Sequence, residues 1–210
     1  MTPFISFSDP LTILLKSIVQ DNVLHAKWLN TLSFLENCGA RKIAACEHPT
    51  LVKEEMLKHA AEEFRHAHHL KRQIERIPSP CSMETYCSAY LLGIPATRHY
   101  LSSLDIQTSR YLKACHLSKA AIKEAAYLLV TYAIELRASE LYPIYDQALK
   151  EAGSKVAVKS ILLEEKEHLH EMQEGLKLLP SGFAHAQHVC HLEGQLCRNW
   201  LHSLKEEVFT

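Results

Sequence analysis

Apolar residues recur at every third or fourth position along most of the chain, which is the spacing of amphipathic helices. Asp21, Thr50 and Ser118 stand where helix N-caps are expected, and Pro143 predicts a kink inside the longest helix. One further helix is predicted between Gly153-Ser154 and Pro180. The others are predicted over about residues 8–20, 21–46, 51–77, 96–115, 118–152 and 183–208.

Two Glu-x-x-His motifs introduce charged and polar residues into this apolar pattern. Glu63-Phe-Arg-His66 and Glu165-Lys-Glu-His168 each put a carboxylate and an imidazole on one face of a helix. Helical spacing directs both pairs at the core, where an unpaired charge is very costly. The apolar stripes that they interrupt consist of Met56, Ala60, Leu70, Ile74 and Ile77 in the first helix, and Ile161, Met172, Leu176 and Leu179 in the second.

The two halves of the chain repeat this arrangement. Glu36 precedes the first motif by 27 residues, and Glu135 precedes the second by 30. Each half is therefore predicted to be a helical hairpin with an inward Glu on its first helix. The hairpins, at about 22–77 and 118–179, would form an all-α four-helix bundle joined by a long crossover at 78–117. Extra N-terminal, crossover and C-terminal (183–208) helices complete one domain over residues 1–210.

Convergence of the four helices would gather four carboxylates, from Glu36, Glu63, Glu135 and Glu165, with two imidazoles. No stripe of Lys or Arg faces them, so two divalent cations are the simplest compensation for four negative charges. Mixed carboxylate and imidazole ligation suits iron or manganese, and the lack of thiolate ligands argues against structural zinc. We therefore predict a dinuclear metal site.

Composition narrows the alternatives. The 210 residues include only 6 Gly and 8 Pro, and 23 basic residues nearly balance 24 acidic ones. This balance gives no electrostatic reason to expect nucleic acid or an anionic membrane as a partner. Seven cysteines without a Cys-x-x-Cys pair or a secretory leader indicate reduced thiols, and we expect a cytoplasmic protein.

The pattern of Glu, Glu-x-x-His, Glu and Glu-x-x-His resembles the ferritin-like di-iron carboxylate superfamily over roughly residues 24–177. This resemblance implies terminal ligation by Glu36 and Glu135, bridging by Glu63 and Glu165, and one iron on each of His66 and His168. The segment Ile134-Glu-Leu-Arg-Ala-Ser-Glu140 is also similar to the third helix of the di-iron tRNA hydroxylases.

Several neighbouring residues leave alternatives open. Glu140 follows Glu135 by five positions and points away from its face, so Glu135 is the preferred ligand. Ser139 could donate a hydrogen bond to a ligand or only pack. Tyr132, one turn before Glu135, is a candidate catalytic residue near the oxygen site or a core aromatic.

Histidines beyond the two motifs are weighed in the same way. His69 follows His66 by one turn and is either an extra ligand or a residue at the surface or beside a ligand. His170, close to His168, leaves the same alternatives open. On the last helix, a second metal site could be suggested by His185, His188, His191 and Cys190. Their spacing does not keep them on one face with any carboxylate, so we interpret this helix as a lid or interface helix. Glu62, Glu164 and Glu167 are expected to be solvated.

Three functions are consistent with this sequence. The first is a non-haem oxidase or oxygenase that uses two Fe ions, with Mn as an alternative at either position, to activate O2 and oxidise or hydroxylate a small organic substrate. The second is a ferroxidase or rubrerythrin-like peroxidase, although the rubredoxin-type cysteine pairs are missing. The third is a helical interaction protein without metal. An external electron donor is expected, a homodimer is left open, and the substrate is not specified.

Overall fold

A computed structural model describes residues 4–48, 50–78 and 83–210, and this part of the chain is all-α, without strands. Two short 3-10 helices, Ile74–Arg76 and Ser88–Tyr90, lie in the connection after α3. The seven α-helices are α1 (Ser8–Gln20), α2 (Asn22–Ala45), α3 (Glu54–Gln73), α4 (Ala96–Ala114), α5 (Lys119–Glu151), α6 (Lys159–Leu178) and α7 (Gly182–Val208).

Two of the three predicted N-caps are confirmed. The Asp21 carboxylate accepts hydrogen bonds from the backbone N–H groups of Val23 and Leu24, and the Ser118 hydroxyl accepts one from Ala121. The Thr50 prediction was wrong, because α3 begins at Glu54, four residues later. α5 continues through Pro143 without interruption.

α2 and α3 form an antiparallel hairpin. The Ser33 hydroxyl donates to the Ala67 carbonyl, while Ile43 packs against Met56 at the other end. α5 and α6 also pack against each other, with Leu128 of α5 beside Gly175 of α6. The two motif-bearing helices, α3 and α6, are therefore each the second helix of a hairpin.

Most of the buried apolar side chains form two clusters. The larger one draws on all seven α-helices, and it contains Trp28 stacked on Trp200 with ring centroids 5.8 Å apart. The Tyr145 ring meets Trp28 edge-on at 6.1 Å. The second cluster joins α4, α5, α6 and α7. Because α7 contributes to both clusters, it belongs to the core instead of being only the lid or interface helix that the sequence suggested.

A buried ion pair also holds α7 to α5. The guanidinium of Arg137 donates through Nε and Nη2 to the Glu193 carboxylate, and neither side chain is more than 4 % exposed. Tyr100 of α4 donates to the same carboxylate. No helix in the described part of the chain has the length and apolarity needed to cross a membrane.

Candidate metal centre

Seven side chains from four helices meet inside the protein. Their oxygen and nitrogen donors form two groups, and within each group all donor atoms lie within 4.8 Å of one another. Glu63 belongs to both groups. The first group is His59, Glu63, Glu135 and His168; the second is Glu36, Glu63, His66 and Glu165.

All six residues predicted as ligands are present in these groups. Glu36 comes from α2, Glu63 and His66 from α3, and Glu135 from α5. Glu165 and His168 come from α6. Helical spacing directs each of them inward, and every one except the partly exposed Glu36 is buried.

His59 is the seventh residue, and the sequence analysis missed it. Its Nε2 atom lies 3.1 Å from Oε1 of Glu135 and 3.4 Å from Oε1 of Glu63. Its Nδ1 atom lies 3.3 Å from the Tyr127 hydroxyl. His59 precedes Glu63 by four residues, so a search one helical turn before the motif would have found it.

The two histidines of the motifs turn Nδ1 toward the carboxylates. Nδ1 of His168 is 3.4 Å from Oε1 of Glu63, and Nδ1 of His66 is 3.1 Å from Oε1 of Glu165. Tyr142 fixes the remaining carboxylate, because its hydroxyl donates a hydrogen bond to Oε1 of Glu36.

Four donor atoms in the centre are buried without a hydrogen-bond partner: Nδ1 of His66, Nδ1 of His168, Oε2 of Glu135 and Oε1 of Glu165. The short His66–Glu165 separation therefore has no well-directed hydrogen bond. Buried polar atoms are almost always paired, so four unpaired ones converging on one place are unusual. All four are lone-pair donors that divalent metals bind, and the residues therefore fit a metal centre.

Two further glutamates reach the histidines from outside. Oε2 of Glu62 lies 2.8 Å from Nε2 of His168, and Oε2 of Glu164 lies 2.7 Å from Nε2 of His66. The expectation that both are solvated was wrong, because each contacts the histidine of the opposite motif helix. A carboxylate that accepts from Nε2–H holds the tautomer in which Nδ1 has a free lone pair. Glu167 is exposed, as expected.

The charges of the centre conflict in the absence of cations. Burial raises the pKa of Glu36, Glu135 and Glu165 well above the ordinary value, and neighbouring carboxylates raise it further. Burial also opposes ionisation of Glu63, but hydrogen bonds from His59 and Glu36 outweigh it and lower the Glu63 pKa to about 2. Without cations the centre therefore favours the ionised form of Glu63 and disfavours that of the other three carboxyl groups, and bound cations would favour ionisation of all four.

The other candidate residues lie elsewhere. Tyr132 is buried in the second apolar cluster and belongs to neither donor group. Glu140 accepts hydrogen bonds from Ser6 and the Phe7 backbone N–H, outside the centre. The Ser139 hydroxyl donates to the Leu136 carbonyl.

Four other histidines near the motifs or on the last helix lie outside the two donor groups. Nε2 of His69 is 2.8 Å from the Ala157 carbonyl oxygen, and His170 is exposed. His185 contacts the hydroxyl of Tyr111 on α4, and His188 stacks on the Tyr111 ring. Six cysteines are free thiols, and Cys81 lies outside the described residues.

A cavity of about 120 Å³ adjoins the centre. It is bounded at one end by four of the carboxylates and by His59. Apolar side chains of α2 and α5, among them Leu35, Ile43 and Ile134, form most of its walls. His66 and His168 are not among its lining residues, so the cavity reaches the centre from the side opposite these histidines.

Comparison of the chain with protein-family models, with curated proteins and with solved structures gave no match.

Proposed function

We propose that this protein is a ferritin-like dinuclear metalloenzyme, with two iron ions or one iron and one manganese, that uses O2 to oxidise or hydroxylate an organic substrate. The main support is the pair of four-residue donor groups that share Glu63. A shared carboxylate is what a pair of metals about 3.5–4 Å apart requires.

The protein surroundings support this proposal through charge. Four carboxylates carry four negative charges when ionised, and two divalent cations neutralise them. Among the residues that the structure describes, no Lys or Arg forms an ion pair with any of these four carboxylates, whose basic neighbours are histidines. Three neutral imidazoles supply nitrogen without changing this balance. The donor set of carboxylates and imidazoles without thiolate is typical of iron and manganese sites.

Each outer residue has a definite task in this proposal. Glu62 and Glu164 keep the histidines oriented, Tyr142 holds Glu36, and Tyr127 contacts the outer nitrogen of His59. The apolar walls of the cavity keep bulk water from the carboxylates. When bound, two redox-active ions would supply electrons for O2 activation, with an external donor restoring them.

An organic substrate is favoured over iron itself because the cavity beside the centre is mostly apolar. A path for Fe²⁺ toward a ferroxidase centre would be lined by carboxylates. The chain also lacks the Cys-x-x-Cys pairs through which a rubrerythrin passes electrons. These features favour an oxidase or oxygenase.

The proposal is tested by loading the purified chain with Fe²⁺ without oxygen, removing unbound metal and then admitting O2. We expect rapid oxidation of about two irons per chain, followed by absorbance in the near ultraviolet, and no mineral growth with excess Fe²⁺. Continued turnover of excess Fe²⁺ would indicate a ferroxidase. A chain that retains Fe²⁺ but leaves its oxidation at the buffer rate would contradict O2 activation.

A further inference from the structure

The lining of the cavity beside the metal centre restricts what can bind there. Every charged side chain on its wall outside the centre already has an opposite charge. Lys42 pairs with Asp105, and Arg137 pairs with Glu193 and Glu140. A charged ligand would therefore find an opposite charge only at the centre itself, and along the rest of the wall it would lose its hydration in an apolar environment. The wall outside the centre therefore selects against ions.

Most of the polar groups on the wall are also occupied. The Tyr100 hydroxyl donates to Glu193, and the indole Nε1–H of Trp200 donates to Oγ1 of Thr97 at 2.8 Å. Tyr127 and Tyr142 contact the residues of the centre. All four groups thus already have a partner inside the protein.

Thr131 is different. It is 8 % exposed, lines the cavity, and its hydroxyl has no hydrogen-bond partner in the part of the chain that the structure describes. It lies one helical turn before Glu135 on α5, near the metal centre. The Cys46 thiol also lines the cavity, but a thiol is only a weak donor. A buried hydroxyl without a partner is a ready point of recognition for a polar group.

The size and position of the cavity set the remaining limits. A dry apolar cavity of about 150 Å³ accepts benzene. This cavity is about 120 Å³, so the buried part of a ligand is no larger than a single ring. Lys42 and Asp105 are 31 % and 40 % exposed at the side chain, so a longer ligand would reach solvent beside them.

We propose that this cavity binds the organic substrate, and that the substrate is an uncharged molecule with an apolar part of about one ring and one group that hydrogen-bonds to Thr131. The inference rests on the proposed function, because the cavity ends at the metal centre. It goes further by assigning the chemical class of the substrate and the residue that positions it.

Three probes of nearly equal size differ in their charge. At pH 7 benzyl alcohol is neutral, benzoate is anionic and benzylamine is cationic. Binding to the full chain is measured by calorimetry and by ligand-observed NMR, with and without bound Fe²⁺ under anaerobic conditions. We expect benzyl alcohol to bind at least about tenfold more tightly than benzoate to the metal-free chain, where the carboxylates of the centre disfavour an anion. To the Fe²⁺-loaded chain, where the cations neutralise these carboxylates, it should bind at least about tenfold more tightly than benzylamine. Equal or tighter binding of the ion in either comparison would overturn the inference.

Variants locate the bound probe. Thr131→Val keeps the volume and removes the hydroxyl, and should weaken benzyl alcohol binding about three- to tenfold. Thr108→Val is its matched control, because Thr108 is also buried without a partner but does not line the cavity. Ala138→Phe fills the cavity and should abolish binding while circular dichroism stays helical. Unchanged binding of benzyl alcohol by Thr131→Val would overturn the role of Thr131, and unchanged binding by a folded Ala138→Phe would overturn the assignment of the cavity.

Metal content is measured on the same samples, which separates this inference from the proposed function. Metal-loaded protein that does not bind benzyl alcohol would overturn the inference and leave the metal centre intact. Benzyl alcohol binding by a chain that takes up no metal would overturn the proposed function, and with it the identification of the ligand as a substrate.

Discussion

The two helical hairpins surround the centre with the same residues in the same order, but they differ at one position. α2 and α3 contribute Glu36, then Glu62-Glu63 and His66, while α5 and α6 contribute Glu135, then Glu164-Glu165 and His168. Four residues before the motif carboxylate, α3 has His59 and α6 has Ile161. Ile161 is fully buried in the larger apolar cluster, whereas His59 faces the carboxylates.

This difference makes the two donor groups unequal. One contains two imidazoles, from His59 and His168, and the other contains His66 alone. Nitrogen and oxygen ligands favour different metals and oxidation states, so we expect the two positions to differ in affinity. The near-repeat of the hairpins thus supplies two similar metal positions, and His59 in place of the corresponding isoleucine distinguishes one from the other.

The largest effect is expected where the two donor groups overlap. Glu63→Ala removes the shared carboxylate, so both positions should fail and metal content should fall to near zero. Elemental analysis after anaerobic loading and desalting measures it. Glu167→Ala, on an exposed glutamate of α6, is the control and should keep the full content. Retention of one tightly bound metal by Glu63→Ala would show that the positions are independent.

A smaller and one-sided effect is expected at the position where the hairpins differ. His59→Ile gives α3 the residue that α6 has, and the His168 position should then bind metal more weakly by over about 100-fold, since a direct ligand is lost. The position of His66 should be unaffected. A titration with Fe²⁺ or Mn²⁺ should change from two tight equivalents to one tight and one weak. Two unchanged equivalents would exclude His59 as a ligand.

The smallest effects are expected from the outer carboxylates, and they should be equal in the two halves. Glu62→Gln should weaken the His168 position and Glu164→Gln the His66 position, each by about 10–100-fold, which is typical of such partners. The same titration compares them, with Glu167→Gln as control. If only one substitution has an effect, the correspondence of the hairpins does not extend beyond the ligands.

The sequence predicted the helices well where their ends depend on local contacts. Asp21 and Ser118 cap the helices that follow them because an N-cap involves only the next few backbone N–H groups. The helix cap predicted at Thr50 is absent because the His48 ring accepts hydrogen bonds from the backbone N–H groups of Thr50 and Leu51. These bonds keep this segment out of the helix. A histidine in this role has no reliable sequence signal.

Helical spacing and the repeat of the two halves predicted six of the seven residues of the centre. Both identify Glu36, Glu135 and the two Glu-x-x-His motifs. The repeat pointed away from His59, because the corresponding residue is Ile161. The contacts of Glu62 and Glu164 cross between α3 and α6, so they depend on how the two hairpins pack, which spacing within one helix does not specify.

The central claim is that two metal ions share one carboxylate inside this chain. Native mass spectrometry of the anaerobically loaded protein, with elemental analysis of the same sample, tests it most directly. We expect two metal ions per chain, one for each donor group. One metal ion per chain or fewer at saturating Fe²⁺ and Mn²⁺ would contradict it.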